Sequence, residues 1–203
     1  MNRAGWLRPP GPLAKGLRIG LLGGSFNPAH EGHLYVSEIA LKQLPLDYVW
    51  WLVAPQNPLK PEAGMAPAEL RLAQARAMAA HHPRLIVSDL EITLGTRYTI
   101  DTLKALHRRF PLVRFVWLMG SDNLAQFHRW RHWTDIVALM PIAVIVRPGS
   151  VLAPLNAKAI WRFARRKNMG KLPAIVPLDG HRNEASATAI RSGLGQGKSS
   201  VLQ

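Results

Sequence analysis

The chain has 203 residues and no cysteine, which excludes a disulfide scaffold, a cysteine nucleophile and a thiolate metal site. Hydrophobic residues make up 48% and charged residues 19%, so we expect a folded domain with a substantial core. A net charge of +14, from 26 Lys and Arg against 12 Asp and Glu, favours anionic partners such as nucleotide phosphates, nucleic acid or acidic lipid.

The two ends of the chain differ in composition from the middle. Residues 1–16 are rich in Pro, Gly and basic residues and contain no apolar core of a secretory signal, so we predict a flexible arm. Residues 195–203 are predicted to form a flexible tail, and residues 17–194 a single domain. No apolar run reaches the roughly 18 residues of a membrane span. We expect a cytoplasmic protein with no membrane attachment.

Apolar, strand-like runs alternate with helix-like stretches between these ends. We predict strands at Leu17–Leu22, Tyr48–Val53, Leu85–Leu90, Val113–Met119, Ile142–Val146 and Ala174–Val176. Helices are predicted at Glu31–Leu44, Pro67–His81, Thr99–Arg109 and Leu155–Lys167, with a last one beginning near Ser186. This alternation predicts an α/β fold with a doubly wound, Rossmann-like parallel sheet and helices on both faces. Ligands of such sheets bind beyond the carboxyl ends of the strands.

The loop after the first strand reads GGSFNPAHEGHL, residues 23–34. Its two glycines let the backbone approach a ligand closely. His30 and His33 lie three residues apart at a predicted helix start, where phosphate is favoured, and their imidazoles can donate hydrogen bonds to phosphate oxygens. The alternatives are structural glycines with solvent-exposed histidines, or a metal site, for which no third ligand is evident.

This loop resembles the G-x-F-[DN]-P-x-H-x-G-H signature of the adenylyl- and cytidylyltransferase superfamily. From about Leu17 to Arg191 the chain is similar to the bacterial nicotinate mononucleotide adenylyltransferases. The resemblance implies that the mononucleotide phosphate attacks the α-phosphorus of ATP in line, giving deamido-NAD and pyrophosphate without a covalent enzyme intermediate. It assigns catalysis at the ATP phosphates to His30 and His33, and acceptor binding to Asn27. It assigns further ATP contacts to Gly23, Gly24, Ser25 and Phe26.

Two more segments are similar to ATP-binding motifs of that family. Lys60 follows the second strand in an N-P-x-x-K-like stretch and would lie near the phosphates, unless it is a solvent-exposed loop lysine. Residues 186–191, SATAIR, resemble the I-S-S-T-x-I-R motif, which implies that Ser186, Thr188 and Arg191 bind the triphosphate. Alanine replaces two residues of that motif, and an ordinary capped surface helix is the alternative.

Middle segments of the chain resemble the acceptor-binding motifs. Thr99 stands in a Y-T-x-D-T-L stretch and would lie near the nicotinate carboxylate. Asp122, in GSDNL, would contact ribose hydroxyls, and it also suits a helix cap. Trp130 matches the aromatic plate of F-x-x-W, and Arg131 would contribute mainly through its backbone. Arg147, in RPG, would support the phosphates or cap a strand.

The resemblance implies ATP and nicotinate mononucleotide as substrates, with Mg²⁺ shared between the ATP phosphates and no metal site caged by protein. We expect a monomer or small homo-oligomer without a specific nucleic-acid partner. One alternative is a related transferase acting on nicotinamide mononucleotide, phosphopantetheine or a cytidylyl acceptor. Another is a basic nucleic-acid-binding protein, although the basic residues are scattered along the chain rather than clustered.

Overall fold

The computed structural model describes residues 9–55, 64–146 and 172–180. In these residues six strands form one sheet in which every neighbouring pair is parallel. The strands are β1 (Arg18–Gly24), β2 (Tyr48–Val53), β3 (Leu85–Ser88), β4 (Arg114–Gly120), β5 (Ile142–Val146) and β6 (Ile175–Asp179). Their order is β3-β2-β1-β4-β5-β6, so the direction of winding reverses between β1 and β4. This order confirms the doubly wound, Rossmann-like parallel sheet.

Helices cover both faces of the sheet, as predicted. They are α1 (Glu31–Gln43), α2 (Ala68–Ala79), α3 (Leu90–Leu94), α4 (Thr99–Arg109), α5 (Ser121–Phe127) and α6 (Trp133–Leu139). One apolar cluster joins α1 and α2 to the sheet, and a second joins α3, α4, α5 and α6 to the opposite face. Successive side chains of β2 alternate between the clusters, Trp50 entering one and Trp51 the other.

Three elements, β2, α4 and β5, have the predicted bounds. Strand β1 runs two residues further than predicted because Gly23 and Gly24 pair with the last residues of β2. The strand predicted at Leu85–Leu90 is wrong at its end: the strand stops at Ser88, whose hydroxyl accepts a hydrogen bond from the backbone N–H of Leu90 and starts α3.

Two predicted helices, at Leu155–Lys167 and from Ser186, lie outside the described residues. The predicted limits of the single domain stay a prediction. Among the helices that the structure describes, none has the length and apolar character needed to cross a membrane.

Candidate active site

A cavity of about 440 Å³ opens beside the carboxyl ends of β1 and β4. The strand order reverses at this point, which is where doubly wound sheets bind their ligands. Nine of the residues predicted for the site line it: Gly23, Gly24, Ser25, His30, His33, Thr99, Asp122, Trp130 and Arg131. The fold thus brings together segments that lie more than a hundred residues apart in sequence.

The two histidines cap the N-terminus of α1 with their own side chains. His30 is the N-cap residue, and its Nδ1 accepts a hydrogen bond from the backbone N–H of Gly32 at 3.1 Å. In return, Nδ1 of His33 accepts from the backbone N–H of His30 at 3.2 Å. An imidazole nitrogen accepts a hydrogen bond only when it carries no proton, so this cap selects, for each ring, the neutral form with the proton on Nε2. Both rings therefore have an Nε2–H donor.

A stack of rings holds His33 from the side of the core. Phe26 lies against His33 with 4.4 Å between ring centroids, and Trp51 lies against Phe26 at 5.2 Å. Trp51 also donates from its indole N–H to Ser37, and the Ser37 hydroxyl donates to the backbone carbonyl of His33, both at 2.8 Å. Phe26 is only 1% exposed, so its ring is buried within this stack. Its backbone is in the left-handed region, with a φ of +47°.

Gly23 is required by the packing of β1 against β4. A Cβ at this position would collide with the six-membered ring of Trp117, which also forms a wall of the cavity. Gly24, one residue later, faces Nε2 of His33, which lies 3.8 Å from the position a Cβ would take. Gly23 thus lets the Trp117 ring approach the end of the strand, whereas a Cβ at Gly24 would make only ordinary contacts.

Helix α4 points its N-terminus toward the opposite side of the cavity. Its N-cap residue is Tyr98, which makes no side-chain capping bond, and Thr99 is the first helical residue. The guanidinium of Arg131 lies over the Tyr98 ring at 4.6 Å from its centroid. Because a helix N-terminus without a side-chain cap offers backbone N–H groups, this wall suits an anionic group.

Trp130 forms an aromatic wall near that helix end. Its ring packs edge-on against Trp117 at 6.0 Å and against Phe127 at 5.4 Å between centroids. Asp122 lies in the first turn of α5, whose N-cap residue is Gly120, so the prediction that Asp122 also caps this helix is wrong. It lines the cavity and is exposed, so its carboxylate remains accessible there.

Phe26 and Asn27 do not line the cavity. Phe26 supports His33 through ring stacking. Asn27 turns away toward the segment before α2, donating from Nδ2 to the carbonyl of Gly64 at 3.0 Å and accepting at Oδ1 from the N–H of Ala66 at 3.2 Å. The remaining predicted residues lie outside the described residues: Lys60, Arg147, Ser186, Thr188 and Arg191.

Three other charged residues line the cavity, and two of them, Arg129 and Glu91, were missed by sequence reasoning. Arg97 and Arg129 line the cavity with Arg131, and Glu91 lines it from α3. Glu91 is only 7% exposed; burial raises its pKa to about 7, while a hydrogen bond from the Thr102 side chain acts in the opposite direction. A charged residue between two apolar ones, Leu90 and Ile92, was the available sign of a buried carboxyl.

The donor set of the cavity does not make a metal cage. Its carboxylates are Glu91 and Asp122. In the part of the chain that the structure describes, no group of three His, Cys, Asp or Glu side chains is placed to hold a metal ion.

Comparison with known proteins identifies the family. The model of the cytidylyltransferase-like family matches residues 21–193. A probable nicotinate-nucleotide adenylyltransferase of Parvibaculum lavamentivorans is 53% identical over 188 residues, which cover 88% of this chain and 93% of that protein. The chain belongs to the nicotinate-nucleotide adenylyltransferases of the cytidylyltransferase-like family. A second adenylyltransferase of this name, from Methylorubrum extorquens, is 50% identical over 87% of this chain and all of its own length.

Solved structures show the same adenylyltransferase fold. The nicotinic acid mononucleotide adenylyltransferase of Plasmodium falciparum, complexed with NaAD, matches with a TM-score of 0.64. The match covers 90% of this chain and 86% of that protein at 18% identity. A nicotinate-nucleotide adenylyltransferase structure from Vibrio parahaemolyticus matches at 0.52, with 19% identity over 90% of this chain and 83% of that one. These structures support the fold, and the family model and the relatives at 53% and 50% identity confirm the family resemblance seen in the sequence.

Proposed function

We propose that this chain transfers the adenylyl group of ATP to nicotinate mononucleotide, giving deamido-NAD and pyrophosphate. One observation carries the proposal most directly: paired histidines at the start of α1 share a cavity with the N-terminus of α4 and with Trp130. The paired histidines at the start of α1 suit a triphosphate, whereas the N-terminus of α4 together with the Trp130 ring suits an aromatic acid. Family membership and the names of the close relatives support the same reaction.

The reaction is a displacement at the α-phosphorus of ATP. An oxygen of the acceptor phosphate forms a bond to this phosphorus, and the bond to the bridging oxygen of the β-phosphate breaks, so that pyrophosphate leaves with the bonding electrons. His30 and His33 donate hydrogen bonds from Nε2–H to phosphate oxygens as charge develops there. The N-terminus of α1 favours the same charge, and the enzyme acts by positioning and electrostatic stabilisation.

The acceptor occupies the side of the cavity formed by α4 and α5. Its ring lies against Trp130, its carboxylate meets the backbone N–H groups at Thr99 and Arg131, and Asp122 binds ribose hydroxyls. Three arginines face two carboxyl groups in this cavity, and Glu91 with its raised pKa is partly protonated near neutral pH. The surplus positive charge favours the nicotinate anion over the neutral amide.

Mg²⁺ enters as part of the ATP substrate and reduces the charge repulsion between its phosphates and the incoming acceptor. Gly23, Gly24 and Ser25 provide backbone beside the phosphates. The assignments of Lys60, Ser186, Thr188, Arg191 and Arg147 to the phosphates stay predictions. So do the role of Asn27 at the acceptor, the cytoplasmic location and the expected monomer or small homo-oligomer.

Isotope labelling tests the reaction itself. ATP labelled at the α-phosphate should transfer its label to a dinucleotide when nicotinate mononucleotide is present, whereas label at the γ-phosphate should appear in pyrophosphate. A parallel reaction with CTP and others with phosphopantetheine and nicotinamide mononucleotide test the alternative transferases. Label moving from the γ-phosphate to the acceptor, or no transfer from the α-phosphate, would contradict the proposal.

A further inference from the structure

Arg71 is a buried cation in the first turns of α2. Its side chain is 1% exposed, and its guanidinium donates hydrogen bonds to four backbone carbonyls. Nε binds the carbonyl of Ala66 at 2.9 Å, one terminal nitrogen binds those of Ser25 and Ala54, and the other binds that of Pro55 at 2.9 Å. These acceptors come from three separate segments of the chain, and none of them is charged.

Arg71 forms no salt bridge among the residues described here. A buried charge that carbonyl dipoles alone compensate is unfavourable for stability compared with a well-packed apolar side chain. A planar fork of five donors can bind several carbonyls at fixed angles, whereas a lysine ammonium cannot reach the same set. The presence of arginine here therefore calls for an explanation beyond folding.

Two of the four residues whose carbonyls Arg71 binds also line the candidate active site. Ser25 and Ala54 both line the cavity, one after β1 and the other after β2. The N–H of Ala54 also binds the carbonyl of Gly24 at 2.9 Å, so these two strand ends are already in register at this point. Asn27, two residues after Ser25, also connects this loop to the segment before α2 through its hydrogen bonds with the backbone of Gly64 and Ala66.

We propose that Arg71 is a positioning residue for the ATP phosphates. Its guanidinium binds the backbone carbonyls of Ser25 and Ala54 and so fixes the distance between these two segments, which form the wall beside the triphosphate. Arg71 itself does not contact substrate. This inference rests on the proposed function. A misplacement of about 1 Å in such a wall lowers the rate on the order of a hundredfold. The acceptor side, formed by α4 and α5, has no contact with Arg71 among its hydrogen bonds.

The proposal predicts a split between the two substrates. In Arg71→Lys, kcat/KM for ATP should fall at least about tenfold, while KM for nicotinate mononucleotide stays within about twofold of the parent. Arg71→Met should show a larger loss. Arg76→Met is the matched control, because Arg76 is exposed on the same helix, and it should behave as the parent does.

The experiment measures thermal unfolding, steady-state kinetics for each substrate, and binding of a non-hydrolysable ATP analogue. Folded variants with parent kinetics for ATP would overturn the proposal. So would an equal rise in KM for both substrates, or failure of both variants to fold, since these outcomes assign Arg71 to stability alone. The parent is assayed first: a parent that does not transfer AMP to nicotinate mononucleotide contradicts the proposed function, whereas an active parent matched by Arg71→Lys contradicts only the role of Arg71.

Discussion

The backbone N–H of His30 donates to Nδ1 of His33 at 3.2 Å, so the second histidine caps the helix that the first one begins. This contact uses the Nδ1 lone pair and leaves Nε2 as the protonated nitrogen of the ring. One pair of side chains thereby stabilises the start of α1 and supplies donors to the cavity. Substitutions that keep the cap but remove the imidazole can separate the two effects.

His33→Gln should lower kcat roughly a hundredfold or more while leaving thermal stability close to that of the parent. Glutamine at the third helical position can still reach back to the N-cap backbone with its amide oxygen, but its flexible amide NH₂ does not hold a donor fixed at the position of the imidazole Nε2–H. Steady-state kinetics measure the expected loss of kcat, and thermal unfolding measures the expected unchanged stability. His33→Ala should lose activity and about 1 kcal/mol of stability, and His30→Asn should behave like His33→Gln. Turnover at the parent rate in folded His33→Gln would remove His33 from the chemistry.

Glu91→Gln should become more stable relative to the parent as pH rises from 4.5 to 8. The pKa of Glu91 is raised from 4.5 to about 7, so in this range the folded protein retains a proton that the unfolded chain has released. The free energy of unfolding of the parent therefore falls as pH rises through this window and stays low above it. At about 1.4 kcal/mol for each unit of pKa, the difference is on the order of 3 kcal/mol.

Urea unfolding of parent and Glu91→Gln at pH 4.5 and pH 8 measures this difference. Glu69→Gln, an exposed carboxyl replaced on α2, is the control. If the stability gap between parent and Glu91→Gln is the same at both pH values, the side chain titrates as in the unfolded chain and its burial has no effect on ionisation.

Trp130→Ala should raise KM for the mononucleotide acceptor by up to about tenfold, because the ring loses its stacking partner. ATP affinity should change little, since ATP is assigned to the side of the cavity near His30 and His33. Trp130→Phe keeps an aromatic plate and should recover most of the loss. Titration of each substrate at saturating concentration of the other checks this, and an equal rise in KM for ATP would contradict the placement of the acceptor.

Arg191→Ala should weaken ATP binding far more than acceptor binding. The SATAIR motif is assigned to the triphosphate, and a charged hydrogen bond to phosphate contributes about 1.5–3 kcal/mol, so roughly a tenfold or greater loss in kcat/KM for ATP follows. Arg108→Ala, an exposed arginine near the end of α4, is the comparison. Small and equal effects on both substrates would make Arg191 a surface residue.

Local motifs in the sequence predicted nine of the twenty described residues that line the cavity, because parallel strands bring the loops that follow them to one edge of the sheet. His33, Thr99 and Trp130 belong to such loops or to the helices they begin. Arg71 was missed because a helical arginine with a partner 46 residues earlier, Ser25, looks like any surface arginine in sequence. Asn27 was assigned to the acceptor by its place in the family signature, a role that stays a prediction, and its contacts with residues 37 and 39 positions away were missed.

Sequence periodicity also failed to predict short elements, because fewer than two helical turns give no recognisable repeat of apolar residues. Helix α3 has five residues, less than two turns, and its sequence follows a strand without a glycine or proline to mark the change. A hydrogen bond from the N–H of Leu90 to the Ser88 hydroxyl makes that turn. Residues such as Glu91 enter the cavity only because the chain turns there, so the buried carboxyl was missed together with the helix.

The assignment of nicotinate mononucleotide as the acceptor is tested most directly by one ratio. It is kcat/KM for nicotinate mononucleotide divided by kcat/KM for nicotinamide mononucleotide. The two acceptors have nearly the same shape, so polar contacts alone distinguish them. Backbone donors near Thr99 pair with a carboxylate but leave unpaired groups against an amide NH₂, at about 1–3 kcal/mol for each. Pyrophosphate release with ATP should therefore favour the acid by roughly a hundredfold or more. Equal efficiency, or a preference for the amide, would contradict the assignment of nicotinate mononucleotide as the substrate.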